Sequence, residues 1–125
     1  MPTPDYGQYI KILRRAWKSP APFDWEGKHY QFKQFSNYVR PHGGKETIPV
    51  SVGGSSEAAY RIGGSLADIF GLWGEPLKET KEQIDKIYAE AEKAGRARRD
   101  YPRIWVTFRP IVAETDDLAW AKAHR

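Results

Sequence analysis

Cysteine is absent from this 125-residue chain. That excludes a disulfide framework and any thiol chemistry. Long apolar runs are absent too. None approaches the roughly 20 residues of a membrane span, and mean hydropathy is −0.70. The opening stretch, MPTPDYGQYIKILRR, has no apolar signal core and no cleavage site. These features fit a cytoplasmic protein with no membrane contact. Histidine is scarce: His29, His42 and His124 stand far apart, with no i,i+4 pair and no carboxylate cluster at ligand spacing. No metal site is expected, and no Ser–His–Asp or paired-carboxylate arrangement is visible.

Charge is mixed rather than one-sided. The net charge is +4, and positive residues are mostly interspersed with negative ones. The one dense basic cluster, RARRDYPR at 96–103, falls between a helical and a strand-like segment, where a solvated loop is expected. A basic stripe without a recognisable binding module is a weak sign, so no nucleic-acid partner is expected. With 40% hydrophobic residues and five tryptophans, the chain has enough apolar mass for the core of one ordinary domain.

Thr3-Pro4 has the form of a helix N-cap followed by proline in the first turn. Tyr6, Tyr9, Ile10, Leu13, Ala16 and Trp17 then recur at spacings of three and four, which predicts an amphipathic helix over 1–18. Phe23 and Trp25, a turn at Glu26-Gly27, and His29, Tyr30 and Phe32 predict a β-hairpin. An irregular loop extends that insertion across 19–47. Residues 48–125 read as three β/α units. The first strand is Ile48 to Val52, covered on both faces, followed by a helix from Ser56 with Ala58, Ala59, Ile62 and Leu66 inward. The second is the buried run 68–73, followed by a long helix. Leu77, Ile84, Ile87, Tyr88, Ala91 and Ala94 line that helix's buried face, Glu82 and Lys86 pair on it, and Gly95 stops it. The third strand is Arg103 to Val112, and Thr115 caps a last helix that runs to Arg125. Alternating strands and helices predict an α/β fold with a parallel sheet. The alternation suits an open sheet or a barrel; a (β/α)8 barrel takes about 250 residues, so on the barrel reading the chain is roughly half of one, with open strand edges that favour self-association.

In parallel α/β architectures the strand ends share one rim, and ligands bind there. The rim here carries Gly53-Gly54-Ser55-Ser56, then Trp73-Gly74-Glu75, then Arg109-Pro110. Glycines let a backbone approach an anion closely, amides at a helix start point outward, and serine hydroxyls donate to phosphate oxygens. The turn therefore reads either as a phosphate grip or as a tight βα connection with a serine N-cap. Trp73 is either a flat wall for a planar ring or a core tryptophan. Arg109 either binds an anionic substrate or is a strand-end charge paired with Glu114 or solvent. Thr107 shares Arg109's face by alternation.

The segments FDWEGKHYQFKQFS, IPVSVGGSSEAAYRIGG, ADIFGLWGEP and IVAETDDLAWAKA together resemble the bacterial luciferase-like flavin-dependent monooxygenases, nearest the alkanesulfonate monooxygenase branch. The resemblance runs from about Tyr6 to Arg125 and corresponds to about strands five to seven of a (β/α)8 TIM barrel. It implies binding of reduced FMN, supplied by a separate flavin reductase, and use of oxygen to cleave a carbon–sulfur bond or oxidise a related small organic substrate, such as a sulfonate. It places Gly53, Gly54, Ser55 and Ser56 on the FMN phosphate, and Trp73 and Gly74 along the active-site wall. Thr107 and Arg109 stand where that branch carries an Arg-x-His motif, and are the candidate catalytic residues. By itself the chain is expected to bind FMN weakly and to lack turnover. The other expectation is a non-catalytic module that binds phosphate or associates with itself.

Overall fold

The computed structural model describes residues 6–42 and 48–124. The expected cap at Thr3-Pro4, the end of the loop at 43–47 and the last residue lie outside the described residues. Helix α1 (Tyr6–Lys18) is followed by strands β1 (Phe23–Glu26) and β2 (Gln31–Phe35). Then come β3 (Ser51–Gly53), α2 (Glu57–Leu66), β4 (Ile69–Trp73), α3 (Leu77–Lys93), β5 (Arg103–Thr107) and α4 (Asp116–Ala123).

The hairpin is antiparallel, with Trp25 opposite Phe32 and Glu26 opposite Gln31. The Gly27 amide donates to the Tyr30 carbonyl at 2.9 Å and closes the turn. A bulge between Phe23 and Trp25 brings Phe23 opposite Phe35, and the Phe23, Phe32 and Phe35 rings pack edge-on or tilted. Only Ile10 and Ala16 of α1 are buried, and Tyr6 and Tyr9 remain exposed.

β3, β4 and β5 form a parallel sheet in chain order. Strand alternation divides its residues between two faces. Val52, Phe70, Leu72 and Ile104 meet Tyr60 of α2 and Ile87 of α3, and this is the core. Phe70 and Ile87 are wholly buried, each contributing about 1.5–3 kcal/mol by removal from water. The opposite face carries Ile69, Gly71, Trp73, Trp105 and Thr107. No layer covers it among the described residues, and Trp73 and Trp105 are each 60% exposed.

That open face explains most departures from the sequence reading. The first strand is not covered on both faces: it begins only at Ser51, and Ile48 is exposed. β5 stops at Thr107 rather than Val112, because its neighbour β4 ends at Trp73 and Pro110 has no amide to donate. Phe108, Ile111 and Val112 are accordingly exposed. The inward face of α2 is also rotated from expectation: Ala58 is exposed and Tyr60 is buried. On α3, Leu77 and Ala94 point to solvent, and Lys86 reaches Glu57 on α2 at 3.6 Å rather than Glu82. Gly95 does end α3, with φ of +73°.

Polar ties close the end of the sheet away from the rim. Asp68 accepts from Arg14 at 2.7 Å and from the Val50 amide at 2.8 Å, joining α1 to the entry of β3. Arg96 donates to the carbonyls of Gly64 and Ala67, at 2.7 and 2.9 Å, and to that of Asp100. Burial lowers the Arg96 pKa from its ordinary value, while the nearby Asp68 carboxylate acts against that shift. Arg98 lies over the Tyr88 and Tyr101 rings at 4.5 and 4.8 Å. Two arginines of the basic cluster are thus engaged within the fold. No described helix is long and apolar enough to cross a membrane.

Candidate functional site

The segments leaving β3, β4 and β5 build the rim of the parallel sheet. After β3 the chain turns through Gly54, whose φ of +141° is a conformation that residues with a Cβ rarely adopt. Ser56 is the N-cap of α2, and its hydroxyl oxygen accepts from the Ala59 amide at 3.1 Å. The Ser55 hydroxyl and the Ser55 and Ser56 amides have no partner among the described residues. The Glu57 and Ala58 amides belong to the first helical turn and have no carbonyl behind them. Four adjacent N–H groups and one free hydroxyl therefore lie at the positive end of the α2 dipole, all on exposed residues. Ser56 caps and yet keeps its own O–H free to donate, so the cap and the anion grip are compatible. The cradle at Gly54 is a close one: a Cβ there would come within 3.0 Å of the Ala59 side chain.

The ends of β4 and β5 make a second feature. Trp73 and Thr107 are register partners on the open face, and the Gly74 amide donates to the Thr107 carbonyl at 2.8 Å. Gly74 is needed here because Phe108 lies where its Cβ would be. With Phe108 laid against Gly74, Arg109 comes over the indole of Trp73, 4.5 Å from the guanidinium carbon to the ring centroid. Trp73, Gly74, Thr107, Phe108, Arg109 and Pro110 line a solvent-open hollow of about 740 Å³.

Four of the sequence-derived candidates, Trp73, Gly74, Thr107 and Arg109, thus come together in one hollow. Gly53, Gly54, Ser55 and Ser56 sit at the neighbouring strand end and do not line it. Trp73 is a rim residue rather than a core residue. Among the described residues Arg109 makes no ion pair with Glu114, and it stacks on the indole instead. Sequence reasoning missed Phe108 as a lining residue, since alternation assigned it to the covered face. Its one signal was Gly74, a glycine directly opposite in the next strand's exit. No group of three or more His, Asp or Glu side chains at metal-binding distance occurs among the described residues.

A family model described as luciferase-like monooxygenase matches residues 6–125. Three solved structures share the fold. Riboflavin lyase (RcaE), with modified FMN and the substrate riboflavin, superposes with a TM-score of 0.76 at 22% identity over 95% of this chain and 30% of its own. An F420-dependent secondary alcohol dehydrogenase, in complex with an F420–acetone adduct, gives 0.64 at 18% identity over 81% of this chain and 29% of its own. The monooxygenase RslO1 from Streptomyces bottropensis gives 0.62 at 18% identity over 92% of this chain and 35% of its own. The chain therefore spans about a third of the length of these structures.

Proposed function

Because this chain belongs to the luciferase-like monooxygenase family, we propose that it supplies the phosphate grip and one wall of the cofactor site in a flavin-dependent monooxygenase. The observation that carries this reading is the unengaged turn after β3. Its amides and the Ser55 hydroxyl lie together at the start of α2 with no internal partner among the described residues, an arrangement suited to a phosphate dianion. Gly53 and Gly54 give the backbone access, and Trp73 and Gly74 form the adjacent wall. One structural relative holds modified FMN and another uses F420, and both facts favour a flavin-type cofactor here.

FMN is the finer assignment, together with the alkanesulfonate-type branch suggested by GGSS and WGEP. When bound, FMN reduced by a separate reductase would supply the electrons with which dioxygen gives one oxygen atom to a small organic substrate and the other to water. This chain's residues bind, orient and wall off the reactants. The hollow at Trp73 is open to solvent, and oxygen chemistry at a flavin requires a dry enclosure. Turnover therefore requires barrel elements beyond these, and the chain alone is expected to bind weakly and not to turn over.

A second reading is a module that pairs with itself without catalysis. The exposed Trp105 and the edges of β3 and β5, which have no further strand partner among the described residues, favour it. Sedimentation separates the two: a monodisperse monomer counts against edge pairing.

The test of the cofactor reading is amide NMR, which detects weak binding. FMN at millimolar concentration is expected to shift the amides from Gly54 to Ala58, and riboflavin, lacking the phosphate, is not. The variant Ser55→Asp/Ser56→Asp retains a cap at position 56 and should abolish the shifts. Equal responses to FMN and riboflavin, or shifts that survive the double substitution, reject the phosphate grip.

A further inference from the structure

We propose that Arg109, held over Trp73, is a specificity residue for the carboxylate of an organic acid, whose apolar body rests in the hollow between Trp73 and Phe108. This rests on the reading above, in which this chain's residues bind the reactants, and it names the class of the small organic substrate.

Arg109 is exposed and lies against the Trp73 indole. Gly74 admits Phe108, Phe108 occupies the space beside Gly74, and the next residue is thereby brought over the indole. The cation–π contact engages the charge of the guanidinium but none of its five N–H donors. Among the described residues none of those donors has a hydrogen-bond partner, and no carboxylate pairs with the group. A cation that rests on an indole and keeps its hydrogen-bonding capacity is suited to receive an anion from outside the chain.

The chemistry of the hollow narrows that anion. Among the described residues Arg109 is the only cationic side chain lining it, so a monoanion is matched and a dianion is not. A planar guanidinium fork presents two parallel N–H bonds, which fit the two oxygens of a carboxylate. A sulfonate can also set two oxygens on the fork, but as the anion of a much stronger acid it is the weaker hydrogen-bond acceptor. The other lining groups are an indole, a phenyl ring, a proline ring, a glycine and a threonine. They suit an apolar or aromatic body rather than a sugar or a polyol.

The experiment needs no flavin, so its result is separate from that of the cofactor test. The indole N–H resonance of Trp73 is identified by its loss in Trp73→Phe. It is then followed during titration with benzoate, benzenesulfonate and benzamide. Benzoate is expected to shift it in a saturable way, at least about fivefold more tightly than benzamide and no more weakly than benzenesulfonate. Arg109→Gln should remove the preference for benzoate over benzamide, and Arg109→Lys, which keeps the charge without the fork, should restore less than half of it. No saturable benzoate shift, equal binding of benzamide, tighter binding of benzenesulfonate or an unchanged Arg109→Gln variant overturns the proposal. FMN binding without benzoate selectivity would sink this inference alone, and the reverse result would sink the cofactor reading alone.

Discussion

The Phe70 ring lies directly against Gly63, on the side of α2 that faces the sheet, in the space that a Cβ at 63 would occupy. The neighbouring glycine, Gly64, is pressed in the same way against the α3 backbone at Ile87 and Ala91. These two contacts let α2 settle onto β4 and α3 at once, and they set the rotation of α2 that buries Tyr60. Gly63→Ala should therefore overpack the core and cost about 1–3 kcal/mol, read as a lower urea midpoint with unchanged slope. Gly71→Ala is the control. Its Cβ meets nothing within 4 Å, and replacing a strand glycine with alanine is expected to be neutral or to stabilise by up to about 1 kcal/mol.

Arg96→Met should cost about 2 kcal/mol, because it leaves the carbonyls of Gly64 and Ala67 without their charged donor. Methionine retains most of the aliphatic stem, so the loss measures the hydrogen bonds rather than packing. Urea unfolding followed by circular dichroism checks it. Arg99→Met, at an exposed position in the same basic cluster, should change stability by less than about 0.5 kcal/mol.

Two capping residues with the same local chemistry should behave differently. Ser56 caps α2 and Thr115 caps α4, each through a hydroxyl that accepts from the amide three residues on. Ser56→Ala should lower global stability by about 1 kcal/mol, since α2 buries Tyr60, Gly63 and Gly64. No residue of α4 is buried. Thr115→Ala should then speed amide exchange within residues 116–123 and leave the global unfolding midpoint where it was.

The sequence disclosed what is local and left obscure what is distant. The Thr115 cap, the Gly95 stop and the hairpin turn at Gly27 all depend on neighbours within a few residues, and the structure has them where the pattern put them, while the serine cap of α2, open between Ser55 and Ser56 in the sequence, falls on Ser56. Tyr60 was missed because the phase of α2 is set by Gly63 and Gly64 meeting partners on β4 and α3, not by its own apolar spacing. The tie from Arg96 to Gly64 and Ala67 spans about thirty residues of chain, and charge density alone suggested only a solvated loop. At the rim, alternation placed Thr107 and Arg109 on one face. The stacking of Arg109 on Trp73 depends on Phe108 and Gly74 and had no sequence signal of its own.

Glu57 gives the most specific test of the electrostatics at the proposed phosphate grip. It is the first residue of α2, and its exposed carboxylate sits where the helix dipole favours negative charge. A bound phosphate would have to share that end of the helix with it. Lys86, 3.6 Å from the Glu57 carboxylate, offsets part of the repulsion. Glu57→Gln is therefore expected to tighten FMN binding about two- to threefold at low salt, and Lys86→Gln to weaken it by a similar factor. Both effects should fade as salt rises, because exposed charges are screened over about 8–10 Å near physiological ionic strength. Parallel titrations with riboflavin should show neither effect, since the phosphate is the only part of the ligand these charges distinguish. Changes of equal size for riboflavin and FMN would mean that the substitutions act on the shape of α2, and the anion grip would lose its electrostatic support.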